Sequence, residues 1–179
     1  PPCYYKGTGA LNDPPNWGDK VDGTGVHPSD FASDNQLYSV GNTSAVSLTS
    51  TWGVTGIGSK VIVGSGVNLT VASGGILAAT VNVNSGGTLT LTQSSFWPAF
   101  GDVAGTVAFN SPSGFSLDAD YTFPTSSGYY DLKAGDFNLS GTGSLLVVKE
   151  STRKSELSVY GNLFVEIGAG GLRFTGEVE

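Results

Sequence analysis

The sequence predicts an all-β chain wound as a right-handed parallel β-helix, a β-solenoid, behind an irregular N-terminal cap. Three observations predict it. The first is composition: of 179 residues 27 are Gly, while Lys and Arg total 8 and Asp and Glu total 15. Helical bundles draw on Ala, Leu, Glu, Lys and Arg, and this chain is spent on Gly, Ser, Thr, Val and Asn. The second is a repeat. Residues 60–71 read KVIVGSGVNLTV and residues 80–91 read TVNVNSGGTLTL, so Val61, Val63, Ser65, Gly66, Leu69 and Val71 recur as Val81, Val83, Ser85, Gly86, Leu89 and Leu91, 20 residues on (81 − 61). The third is period: apolar residues stand two apart within each unit, which is strand spacing, and a Gly/Ser/Asn corner separates them.

Short strands with tight corners make poor isolated hairpins. Stacked as coils, they bury one face of each strand against the rungs above and below. A β-sandwich would instead alternate longer strands and loops without a shared unit. At ~20 residues per coil, positions 37–179 would make roughly seven coils and a rod on the order of 35 Å long. Further corners are expected at Ala72-Ser73-Gly74-Gly75 and Ala169-Gly170-Gly171, and further strands at Thr106-Val107-Ala108-Phe109, Leu157–Val159, Leu163–Val165 and Leu172–Phe174. The stretches 92–105 and 110–143 interrupt the pattern and are expected as longer loops or irregular coils.

Residues 1–36 differ in kind, being dense in Pro and Asp with Tyr4, Tyr5, Trp17 and Phe31 interspersed. An open coil end invites association, so a capping segment belongs there, and 1–36 is the candidate. Gly176-Glu177-Val178-Glu179 reads as the middle of another strand. That leads to the expectation of end-to-end self-association or of continuation in a longer chain. The chain has no Met and is expected to be a processed product or a piece of something longer.

Charge narrows the function. With a net charge of −7 and eight scattered basic residues, no patch can be built to displace counterions from nucleic acid or to hold an anionic membrane. No run of apolar residues is long enough to span a membrane. A low-charge acidic surface suits an extracellular or bacterial cell-surface protein. Cys3 is the only cysteine, so it is expected as a free or tail-located thiol, or as a bridge to a partner chain or to a missing segment.

Motifs that resemble catalytic ones each have a plainer reading. Gly53-Val-Thr-Gly56-Ile-Gly58-Ser59-Lys60 lacks the Gly-Lys-Ser/Thr order of a phosphate loop and precedes a strand; it reads as a corner. His27 is the only histidine, which excludes multi-His metal sites, and no Gly-x-Ser-x-Gly elbow occurs. Asp19-Lys-Val-Asp22-Gly23-Thr-Gly25 lacks the alternate ligands and late Glu of a calcium loop and reads as a turn. Asp118, Asp120, Asp131 and Asp136, with Lys133 among them, read as solvated loop acids rather than a hydrolase or lyase pair. The run from Lys149 to Glu156 reads as a solvated turn. No catalytic residue, no metal ligand and no cofactor is expected, and the chain is not expected to be an enzyme. Trp97, Tyr129 and Tyr130 fall in the two interruptions and are the candidate glycan-stacking residues, with core packing as the alternative.

One resemblance adds to this. Tyr4-Tyr5-Lys6-Gly7-Thr8-Gly9-Ala10-Leu11-Asn12, Asn16-Trp17-Gly18, Asp22-Gly23-Thr24-Gly25, Pro28-Ser29-Asp30-Phe31 and Asn35-Gln36 form one block. The run from Trp52 to Gly64 forms a second. Together they resemble a segment of large surface and secreted proteins of Bacteroidota, many exported by the type IX pathway. The likeness covers residues 4–91 and thins afterwards. It implies an adhesin-like or stalk-like parallel β-helix module and no catalytic residues. No C-terminal sorting domain is recognisable, so export and anchoring are expected to lie in sequence outside these residues. The leading expectation is thus a structural or adhesive module of a bacterial extracellular protein, with a glycan-binding module as the alternative.

Overall fold

The computed structural model describes residues 2–92, 96–111, 115–117, 121–125, 129–134, 137–139, 145–149, 156–159, 163–165 and 172–174, with side chains described through Asn110. Strand β1 (Pro2–Tyr5), a 3₁₀ turn at Pro14–Asn16 and the short β2 (Trp17–Gly18) make up the regular part of the first 36 residues. Strands then follow in threes. The first coil is β3 (Leu37–Val40), β4 (Ala45–Leu48) and β5 (Thr51–Gly53), and the second is β6 (Lys60–Val63), β7 (Asn68–Val71) and β8 (Ile76–Ala78). The third contributes β9 (Thr80–Val83) and β10 (Thr88–Leu91), and the fourth β11 (Ala99–Val103), β12 (Thr106–Ser111) and β13 (Phe115–Leu117). Beyond these come β14 (Tyr121–Thr125), β15 (Tyr129–Ala134), β16 (Phe137–Leu139), β17 (Leu145–Lys149), β18 (Glu156–Val159), β19 (Leu163–Val165) and β20 (Leu172–Phe174).

Strands of one coil pair with their counterparts in the next along each ladder, so the chain is an all-β solenoid. The first face runs β1-β3-β6-β9-β11, and the second runs β4-β7-β10-β12-β15-β18. The third face starts with β5-β8, and β13-β16-β19 and β14-β17-β20 form two further ladders. Among the described residues every strand pairing is parallel except that of β1 with β2. Parallel neighbours need a crossover, and here one turn of the coil supplies it.

The rows explain the sequence repeat. Leu69 pairs with Leu89 and Val71 with Leu91, and on the first face Val61 pairs with Val81 and Val63 with Val83. All eight side chains are buried, as are Val107 and Phe109 on the next rung. Removing each from water contributes about 1.5–3 kcal/mol, the dominant favourable term in a chain of such short strands. At the corners the chain must reverse without a side chain in the way. Gly66 and Gly86 hold φ of 74° and 79°, and Gly66 N–H donates to Gly86 C=O at 3.0 Å, so corner stacks on corner. A Cβ on Gly87 would stand 2.7 Å from the Gly64 carbonyl oxygen, which excludes any larger residue at that rung.

In the stretches expected as longer loops or irregular coils, the described strands join the ladder. Within 92–105, Ala99 and Phe100 pair with Thr80 and Val81, and within 110–143, β15 pairs with β12 and β18. The 20-residue step is one of several, since Leu69 lies 23 residues beyond its partner Val46 (69 − 46) and Val107 lies 18 beyond Leu89 (107 − 89). Coil geometry fixes the strands, and corner length is free to vary.

Candidate functional site

The first 36 residues close one end of the solenoid. Strand β1 lies parallel on β3, with Cys3 over Tyr38, and so heads the row Tyr38, Val61, Val81, Phe100. Strand β2 then runs antiparallel on β1, and parallel growth stops there. The outer side of β2 is covered as well. A Cβ on Gly18 would lie 2.1 Å from the Thr24 carbonyl oxygen, so the 19–26 turn sits directly on this strand. His27 Nδ1 hydrogen-bonds the Trp17 carbonyl oxygen. The sequence's one histidine thus satisfies an orphan carbonyl at a sheet edge.

The acidic motif that resembles a calcium loop is the scaffold of this cover. Asp19 Oδ1 accepts from Val26 N–H at 2.9 Å, and Asp22 Oδ1 accepts from Thr24 N–H at 3.0 Å and its hydroxyl at 2.7 Å. Those two bonds hold the Asp22 carboxyl below its ordinary pKa. Among the described residues no group of three or more His, Cys, Asp or Glu is placed to hold a metal ion.

Two amides fasten the cap to the first coil. Asn42 donates to Tyr5 C=O and Val21 C=O, both at 2.8 Å, and Asn12 donates to Ser50 Oγ and Thr51 C=O, both at 3.0 Å. The would-be phosphate loop has a similar role. Ser59 is buried; its hydroxyl donates to Ser33 C=O at 2.8 Å and accepts from Gln36 N–H at 2.9 Å. A Cβ on Gly56 would stand 2.0 Å from the same Ser33 oxygen, so this corner is the seat on which the end of the cap rests.

Under the cover lies an aromatic cluster. Trp17 meets Tyr5, Phe31, Tyr38 and Trp52 at centroid distances of 5.4, 6.0, 5.7 and 5.3 Å, and its indole N–H donates to Leu11 C=O at 2.8 Å. Trp52 Nε1 is buried with no hydrogen-bond partner among the described residues. Cys3 is buried at the head of its row and not tail-located, and burial pushes its thiol pKa up. Burial raises the Tyr5 phenol, and burial, then the Cys3 and Asp30 charges, raise Tyr38 to about 12. A thiol so placed is a poor nucleophile.

Beside this cluster a cleft of about 320 Å³ opens to solvent. Its floor is Cys3 and Tyr38, its apolar lip is Pro2, Val26 and Pro28, and Asp19, His27, Ser29, Ser33 and Gln36 stand around it. Sequence reasoning missed this cleft. Its residues come from six separate places in the chain, brought together by the pairing of β1 with β3 and by the bonds that hold the 19–27 segment.

Of the sequence-predicted glycan residues, only Trp97 has a described side chain. Trp97 is 6% exposed, with its ring 4.4 Å from that of Phe109 and Phe100 packed on the same Phe at 6.1 Å. It fills the solenoid interior, so it offers no stacking face. Tyr129 and Tyr130 are adjacent in β15 and pair with Thr106 and Val107; their side chains lie outside the description. Asp131 and Lys133 stand in β15 on the same terms, and Asp118, Asp120, Asp136 and the Gly176–Glu179 stretch lie outside the described residues, as does most of the 149–156 charge run. No described helix is long and apolar enough to cross a membrane. No protein-family model, no curated protein and no solved structure matches the chain.

Proposed function

We propose that the chain is a structural and adhesive module of a bacterial extracellular or cell-surface protein, a length of rod that carries or presents other parts. One observation carries the reading. Between Leu37 and Ser111 the only charged residues are Lys60 and Asp102, on a continuous ladder whose inner rows are apolar throughout. General acid–base work needs two titratable groups converging on one point, and besides Tyr38 the sequence of these coils supplies only this one amine and one acid. Such a ladder supplies length and stiffness, because each rung is added at the ~4.8 Å strand spacing.

The test is to shorten the rod without breaking it. Deleting residues 64–83 joins Val63 to the equivalent corner at Asn84 and removes one coil in register. The shortened protein should fold, remain displayed on its native surface and retain its attachment. Loss of attachment by a chain that still gives a folded β spectrum would contradict the reading, because the deleted coil would then hold the active part.

A further inference from the structure

We infer that the cleft is a binding site for one neutral sugar ring, the adhesive part of the rod proposed above. The inference rests on the adhesive half of that reading and not on the structural half, since a rod stands equally well with the cleft empty.

The cleft volume of about 320 Å³ lies at the lower end of small-molecule sites, which begin at roughly 300 Å³. That suits a ring and its substituents better than a nucleotide. Val26 is 72% exposed on the lip, beside Pro2 and Pro28, and makes an apolar ledge of the kind that covers the C–H face of a sugar. Polar residues also line it, with side-chain atoms that no hydrogen bond among the described residues uses. Ser29 and Ser33 hydroxyls make no hydrogen bond among the described residues. Asp19 spends Oδ1 on Val26 N–H and keeps Oδ2, Gln36 spends Nε2 on Asp34 C=O and keeps Oε1, and His27 spends Nδ1 and keeps Nε2. Two hydroxyls, a carboxylate, an amide oxygen and an imidazole nitrogen form a set of acceptors and exchangeable donors matched to a polyol.

Charge selects among sugars. The cleft has one carboxylate and neither Lys nor Arg in its lining, on a chain of net charge −7. An acidic sugar would bring like charge against Asp19 and is disfavoured. The adjoining aromatic cluster holds the floor rigid, so little ordering cost is added on binding.

The experiment is a titration of the isotopically labelled chain with methyl glycosides of neutral hexoses and of glucuronic acid, read by two-dimensional NMR. A glycan array run alongside distinguishes a free sugar from the end of a longer glycan. At least one neutral glycoside should shift the His27 ring and Val26 methyl resonances with a Kd of about 1 mM, the range of a site with few contacts. Glucuronic acid should bind more weakly. Ser29→Ala and Ser33→Ala remove only the unused hydroxyls, and each should weaken binding by about 3- to 10-fold, the fold-change equivalent of one net hydrogen bond. Overturning results are equally plain: no neutral sugar moves these resonances, the serine variants bind as the parent does, or the shifts fall on β12 and β15 instead. Failure here leaves the coil-deletion result untouched, so the two readings fall separately.

Discussion

At the capped end, Trp17 touches four other rings and draws them from positions 5 to 52; from Lys60 to Leu91, across β6 to β10, there is no aromatic residue at all. Both regions are equally buried, yet they are built differently. In the middle coils Val and Leu pair with Val and Leu on the neighbouring rung, as Val61 with Val81, Val63 with Val83, Leu69 with Leu89 and Val71 with Leu91, and rings enter the rows only on the flanking rungs, at Tyr38, Trp52, Phe100 and Phe109. Above the first coil only β3 has a further strand, β1, while β4 and β5 end their ladders, so larger rings brought from distant positions complete the cover. A row is local and repeats, whereas the cap is one cluster in which every ring depends on the others.

The largest expected effect comes from Trp17, which is fully buried. Trp17→Ala should cost about 3–5 kcal/mol and open the cap as a unit, exposing Cys3 to thiol reagents. Leu89→Ala removes a smaller side chain from a row between Leu69 and Val107 and should cost about 3 kcal/mol without exposing Cys3. Urea denaturation with thiol labelling reads both. If Leu89→Ala exposes Cys3 as readily as Trp17→Ala does, the two regions are not separate and the comparison fails.

A smaller effect separates the regions by pH. Cys3, Tyr5 and Tyr38 all have raised pKa values, and all three lie in the cap or against it. An acid whose pKa is raised on folding keeps its proton in the folded chain after the unfolded chain has released it. The stability it contributes is therefore full below the unfolded value and is lost as pH rises through the folded one. For Tyr38 that window runs from the ordinary 10.0 to about 12. The cap's near-ultraviolet dichroism should fade in this window while the strand signal of the coils persists, and Tyr38→Phe should move the loss to higher pH. Simultaneous loss of both signals would contradict it.

How much of this was legible in the residues follows from the same contrast. The rows of β6, β7, β9 and β10 could be read directly, because alternation and corner both repeat and the paired residues are those the repeat aligns. Strand β11 could not: its register shifts between Phe100 and Val103, and an irregularity there breaks the period of two. The larger steps hid the remaining ladders, since a corner of variable length destroys a fixed period without disturbing the coil. Trp97 shows a different limit. A ring in an interrupted stretch has the same sequence signature whether it faces a sugar or fills the core, and only the approach of Phe109 decides it. Ser59 and His27 gave no signal of their own, because each serves a carbonyl that becomes an orphan only once the cap has folded.

The central claim is the parallel, in-register stack, and cross-linking tests it most directly. Thr70 and Thr90 pair across β7 and β10, which places their Cα atoms near the ~4.8 Å strand spacing and inside the roughly 4.4–6.8 Å range that a disulfide spans. A chain carrying Thr70→Cys and Thr90→Cys should oxidise to an intramolecular cross-link without loss of its β spectrum, while Thr70→Cys combined with Thr88→Cys should remain reduced. The reverse result, a cross-link to position 88 and none to position 90, would mean that the strands pair in another register and that the solenoid described above is wrong.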